Sequence, residues 1–164
     1  MESGLPLYLI PGRFFATLIV FGKGRVSMTT ILLPITLTTA AVLAVLCLVL
    51  AVRCIMGRVK TNVMMGDGGN DEMVCRMRTL SNFSEYVPLL LVLMGLMEMG
   101  GGNRTFLTVF GAVLVILRVM HAIGMPRPVP NFFRAGGFIG TFVLLLVAAV
   151  YGLILTWHVW SRAA

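Results

Sequence analysis

Long stretches without charge, separated by short polar ones, dominate this chain. Residues 29–52 carry no charge, 82–99 are broken only by Glu85 and Glu98, 105–123 hold Arg118 and His121 near their end, and 138–157 are again uncharged. Each run approaches or exceeds the ~20 residues that a helix needs to cross ~30 Å of hydrocarbon. None alternates with the period of two that a barrel strand requires, and only helices or closed barrels satisfy their backbones in lipid. The pattern predicts an all-α integral membrane protein, a four-transmembrane-helix bundle.

The polar stretches fit as connections. Residues 53–77 are polar and contain the turn-forming run Gly66-Asp67-Gly68-Gly69-Asn70-Asp71. Gly100-Gly101-Gly102-Asn103 predicts a tight hairpin between the second and third helices. Pro126, Pro128 and Pro130 stop the third helix, and Asn131 is placed to cap the fourth. Upstream, Phe14–Phe21 is apolar but too short to span, and no small-residue cleavage site follows it. We therefore expect residues 1–27 to be an N-terminal extension outside the core, with Met28 as an alternative start, and 28–164 to be the four-helix domain.

Composition strengthens the membrane reading. The 164 residues are 59% hydrophobic and 12% charged, against ~25% charged in soluble domains. Mean hydropathy is +0.98. The net charge of +7 does not indicate nucleic acid, because the basic residues form no run and no RNA-binding motif. They follow topology instead. Arg53, Arg58, Lys60, Arg76 and Arg78 lie around the first connection and Arg127 and Arg134 around the third, whereas Arg104 and Arg162 lie on the opposite side. The positive-inside rule makes the first and third connections cytoplasmic and both termini external, although Arg13, Lys23 and Arg25 in the extension oppose it.

Candidate chemistry concentrates at Arg78-Thr-Leu-Ser-Asn82-Phe-Ser-Glu85-Tyr86-Val-Pro88. On a helix, positions i, i+4 and i+7 place Arg78, Asn82 and Glu85 on one stripe about 10 Å long. Polar groups in a membrane helix are costly and mark a functional site by default. The competing structural account has Arg78 reaching for the interface and Glu85 pairing with a neighbouring helix. Arg118 and His121, i and i+3 on the third helix, together with Arg134 at the start of the fourth, fall at the same end as Arg78. Such convergence is more than interfacial anchoring demands.

Other features carry less. Cys47, Cys54 and Cys75 form neither a metal pattern nor a disulfide framework. Asp67, Asp71 and Glu72 lack calcium-loop spacing, and no strand precedes the glycines as a dinucleotide fingerprint requires. Trp157, His158 and Trp160 suit an interfacial belt.

The run from Arg78 to Pro88 resembles the second-helix signature of the MAPEG proteins (membrane-associated proteins in eicosanoid and glutathione metabolism). With the preceding Gly-Asp-Gly-Gly-Asn loop, it is most similar to the small bacterial members of that family. The resemblance extends from about Met28 to the C-terminus. It implies a homotrimer in the bacterial inner membrane that binds glutathione at its subunit interfaces. Arg78 would meet a glutathione carboxylate, Asn82 the peptide and Glu85 the γ-glutamyl ammonium, with Tyr86 packing or hydrogen-bonding nearby. Arg118 and His121 fall where the family's prostaglandin E synthase carries its Arg-x-x-His. Arg134 lies at the spacing of the arginine that stabilises the thiolate, which gives it the catalytic role.

Glutathione would then be a co-substrate, with no metal. The thiolate would add to a hydrophobic electrophile arriving from the bilayer, or reduce a lipid hydroperoxide. Where eukaryotic members have a tyrosine four residues beyond the histidine, this chain has Met125, and Ile123 replaces the tyrosine of the bacterial His-Ala-Tyr-Gly. These departures keep a non-catalytic scaffold of the same fold as an alternative. A small proton-coupled transporter using Glu85 is another.

Overall fold

A computed structural model describes residues 32–163, so the 1–27 extension and the Met28 start lie outside the described residues. Within that range the chain forms four helices: α1 (Pro34–Thr61), α2 (Asp71–Met99), α3 (Arg104–Gly124) and α4 (Phe132–Ala163). All four are long and apolar enough to cross a membrane. The all-α, four-transmembrane-helix bundle expected from hydropathy is what the described residues form.

Hydropathy placed the helix ends too tightly, because polar groups extend the helices beyond their apolar runs. The second helix begins at Asp71 rather than near Asn82. The Asn70 side chain accepts a bond from the Met73 amide at 3.1 Å, Asp71 and Glu72 occupy the first turn, and Glu72 pairs with Arg76 one turn on. The first helix continues past Val52 to Thr61, with Arg53, Arg58 and Lys60 inside it. Asn62 closes it in the left-handed conformation (φ 58°), and the Val63 amide bonds the Arg58 carbonyl at 3.1 Å. Arg58 then folds over the connection, donating to the carbonyls of Met64 and Gly66 at 3.1 and 3.2 Å. The remaining loop, 62–70, turns on Gly66, Gly68 and Gly69, all at positive φ.

The other connections form as expected. Gly101 takes a positive φ, and the Gly102 amide bonds the Met97 carbonyl at 2.8 Å. Asn103 accepts from Phe106 N at 3.0 Å to cap α3, while its own amide donates to the Tyr151 hydroxyl at 2.9 Å. Asn131 caps α4 by accepting from Phe133 N at 2.9 Å.

In the bundle, α3 and α4 make the most extensive contact, α1 packs on α2 and α3, and α1 and α4 do not touch. The core runs through Leu43, Leu50, Phe83, Leu90, Met94, Leu107, Leu114 and Ala148. In α1 the buried residues are Thr39, Leu43, Leu50, Cys54 and Gly57, one narrow seam, and most of the remaining surface is exposed and apolar. Such a surface belongs in lipid rather than water.

Each end of α1 is held by a polar side chain of α2. Glu98 accepts from the amides of Ile35 and Thr36 (3.0 and 2.8 Å) and from the Thr36 hydroxyl (2.7 Å), which caps a helix whose own preceding residue, Leu33, offers no side-chain cap. At the other end Arg76 donates to the Arg53 carbonyl at 2.5 Å, lying in a notch left by Gly57. Between α3 and α4 the notch is Gly137. A Cβ there would stand 2.7 Å from both the His121 amide nitrogen and the Leu117 carbonyl oxygen. Small residues of this kind let membrane helices approach closely.

Candidate functional site

A cleft of about 490 Å³ opens at the end of the bundle that carries the first and third connections. One wall is α2, contributing Arg78, Ser81, Asn82 and Glu85. The other comes from the end of α3, the proline loop and the start of α4, including His121, Met125, Asn131, Arg134 and Phe138. The stripe Arg78–Asn82–Glu85 lies beside the buried stripe Thr79–Phe83–Val87 of the same helix, so packing of the second stripe aims the first at the cleft.

Five residues singled out from sequence thus meet here: Arg78, Asn82, Glu85, His121 and Arg134. The charged ends of Arg78, Glu85 and Arg134 are not paired with one another. Among the described residues the only ion pair is Arg76–Glu72, and Glu85 accepts one bond, from the Ser81 hydroxyl at 2.6 Å. His121 is 5% exposed. With its proton on Nδ1 it donates to the Arg134 carbonyl at 3.4 Å, and its Nε2 has no partner among the described residues. Gly124 and Gly137 allow this approach, because each sits against the backbone of the facing segment.

Two other candidates stand behind the wall rather than on it. Arg118 is 2% exposed and continues the buried α3 stripe Leu107–Gly111–Leu114. Its guanidinium donates to Asn82 Oδ1 and to the Gly137 carbonyl, each at 2.9 Å, and to the Thr141 hydroxyl. Tyr86 does not line the cleft. It packs edge-on against Phe138 and Phe142, with ring centroids 6.5 and 5.2 Å away. Ser81 and Thr141 escaped the sequence reading. Ser81 had a local signal, four residues before Glu85, whereas the role of Thr141 depends on how α3 and α4 pack.

Among the described residues the cleft therefore offers two free cations, one carboxylate and an amide, with a third cation buried behind. It suits an anionic ligand that also carries one positive group and a hydrogen-bonding midsection.

Comparison with known proteins agrees with this architecture. Over 79 residues the chain is 35% identical to the inner membrane protein YecN of Escherichia coli K12, a stretch covering 48% of this chain and 60% of that protein. YecN of a second Escherichia coli strain, O6:H1, matches to the same extent. The chain thus spans about 60% of the length of the curated relatives it matches. No solved structure matches it. The model of the MAPEG family matches residues 36–154, a range that covers α2 and α3 and most of α1 and α4. This four-helix integral membrane protein belongs to the MAPEG family.

Proposed function

We propose that the cleft binds glutathione or a related γ-glutamyl thiol and presents its thiolate to hydrophobic electrophiles that enter from the bilayer. The observation that carries this reading is the unpaired set Arg78, Glu85 and Arg134 around one cleft. Glutathione has two carboxylates and one ammonium, so it bears net negative charge and complements two guanidiniums and a carboxylate. Arg78 holds a carboxylate through its planar fork, Asn82 bonds the peptide, and Glu85 holds the ammonium. Arg134 faces the sulfur. A cation there lowers the thiol pKa, so the S–H proton leaves to solvent, and the thiolate forms the new C–S bond as the electrophile loses a leaving group, or as its activated C=C π bond breaks and takes a proton from water. A lipid hydroperoxide would be reduced by the same nucleophile: the thiolate breaks the O–O bond to give the alcohol and a glutathione sulfenic acid, which a second glutathione converts to the disulfide and water.

The depth of the site supports two routes of entry. From Arg78 to Glu98 is roughly 30 Å at ~1.5 Å per residue, the thickness of the hydrocarbon core. Arg78 then sits at one membrane surface and Glu85 about a third of the way in. A polar thiol reaches Arg78 from water, and an apolar partner reaches Phe138 from lipid. The excess of basic residues near the first and third connections supports a cytoplasmic position for that end. Relatives named as inner membrane proteins support a bacterial inner membrane location. Because Arg78 and Glu85 are exposed in the single chain, a homotrimer would complete the cleft from a neighbouring subunit.

Isothermal titration of glutathione into detergent-purified protein tests the reading, with the ultraviolet thiolate difference signal followed in the same sample. Arg78→Ala and Glu85→Gln should each weaken binding about tenfold or more, as expected for a charge-assisted bond of ~1.5–3 kcal/mol. Arg134→Ala should abolish the thiolate signal while leaving much of the binding. Unchanged affinity in both wall variants would remove the assigned roles.

A second reading, a binding or scaffold protein without turnover, is favoured by one observation. Among the described residues Ser81 is the only hydroxyl lining the cleft, and it is bonded to Glu85. Full glutathione binding with no thiolate signal would select that reading.

A further inference from the structure

The hydrogen bonds behind the cleft wall have a fixed polarity. Thr141, 1% exposed, donates its hydroxyl proton to the Gly137 carbonyl at 2.7 Å, so only lone pairs remain for its other neighbour, Arg118. Arg118 has donors and no acceptor. It therefore contacts Asn82 only through Oδ1, at 2.9 Å. That bond decides which way round the Asn82 amide lies and leaves its NH2 group for the cleft.

We infer that Thr141 is a positioning residue that acts through Arg118 to hold Asn82 as a hydrogen-bond donor. The site then selects ligands with a carbonyl or carboxylate oxygen between the groups that meet Arg78 and Glu85. The inference rests on the cleft being the binding site, and it specifies the chemistry that one rung of the wall accepts.

The chain has no slack to absorb a lost link. Arg118 is almost fully buried, its Nε has no partner, and no carboxylate among the described residues lies within 4 Å of it. Without the Thr141 hydroxyl, the guanidinium keeps only the Gly137 carbonyl on α4 and loses the bond that fixes its angle toward Asn82. Asn82 would then present either its oxygen or its NH2 to a ligand. A membrane helix does not retain a buried guanidinium without compensating partners, and here the partners include an amide on the cleft wall.

The experiment compares wild type, Thr141→Val and Thr141→Ser. Valine matches the shape of threonine without the hydroxyl, and serine restores the hydroxyl. The probes are glutathione and an analogue whose cysteinyl-glycine peptide bond is replaced by a trans-alkene, which keeps the shape and charge and lacks the carbonyl oxygen. Wild type should prefer glutathione about tenfold, the scale of one hydrogen bond to an otherwise unpaired site group. In Thr141→Val that preference should fall toward one, and in Thr141→Ser it should return. A purely structural role would weaken both probes equally and leave the ratio unchanged, which would overturn the inference.

If wild type binds neither probe, the ligand assignment fails, and the relay is judged on the ligand-free protein. Thermal unfolding of Thr141→Val, Asn82→Ala and the double variant forms a cycle. A double variant that loses clearly less than the sum of the single losses supports the relay. Additive losses refute it.

Discussion

Replacing Gly137 by alanine sets two effects of known size against each other. In a helix free of neighbours, alanine is favoured over glycine by about 0.5–1 kcal/mol. In α4 the added Cβ would stand 2.7 Å from the His121 amide nitrogen and the Leu117 carbonyl oxygen, and 2.8 Å from the His121 Cβ. The carbon contact needs ~3.5 Å, so the helices must part by roughly 0.7 Å. The nearest atoms are mostly helix backbone, which cannot rotate aside. Overpacking of this kind costs about 1–3 kcal/mol. Strain on the 2.9 Å bond from Arg118 to the Gly137 carbonyl adds about 1 kcal/mol. The packing loss wins, and we expect net destabilisation of about 1–3 kcal/mol.

Gly152, in the same helix, is the internal control. A Cβ there meets nothing within 4 Å, so Gly152→Ala should gain the ~0.5–1 kcal/mol of propensity. Thermal unfolding of both variants in one detergent, followed by circular dichroism, makes the comparison. Gly137→Ala unfolding at or above the wild-type temperature would refute the close approach of α3 and α4.

Two more outcomes follow from other contacts. Glu98→Ala should destabilise the fold by about 2 kcal/mol through loss of the α1 cap, and Glu98→Gln by roughly half as much; exchange of the Ile35 and Thr36 amides should quicken in both, and unchanged exchange would exclude the capping role. In Gly124→Ala the new Cβ would meet the Arg134 backbone, so the thiolate signal of bound glutathione should fall much more than the affinity, and equal losses would contradict the placement of Arg134.

The parts of this molecule legible in its sequence are those set by local spacing or by lipid. Apolar runs revealed four helices because hydrocarbon leaves the backbone no other option. They missed the polar ends, which Asn70, Glu72–Arg76 and the folded-back Arg58 build with hydrogen bonds that hydropathy does not register. The Arg78–Asn82–Glu85 stripe was readable because i, i+4 and i+7 share a helix face in any fold. Arg134 could be associated with it only through the order of the helices and the family resemblance, and the structure brings it into the same cleft. The burial of Arg118 was implicit in its spacing from Leu107, Gly111 and Leu114, the buried stripe of α3. Thr141 carried no local mark, since its partner sits on another helix. Glu98 stood out in the sequence only as an interruption, because the amides it caps lie 62 and 63 residues away.

That carboxylate has a consequence for how the first helix is specified. A helix with a greasy, nearly featureless surface and one narrow seam could slide by a turn along its neighbours at little loss. Glu98 at one end and Arg76 at the other hold its main chain rather than its side chains. Its axial register is therefore fixed by two pins near opposite membrane surfaces, and the residues outside the buried seam are free to change in shape and order so long as they stay apolar. Sequence drift along the lipid-facing side of α1 then leaves the cleft undisturbed, since the height of α1 does not depend on it.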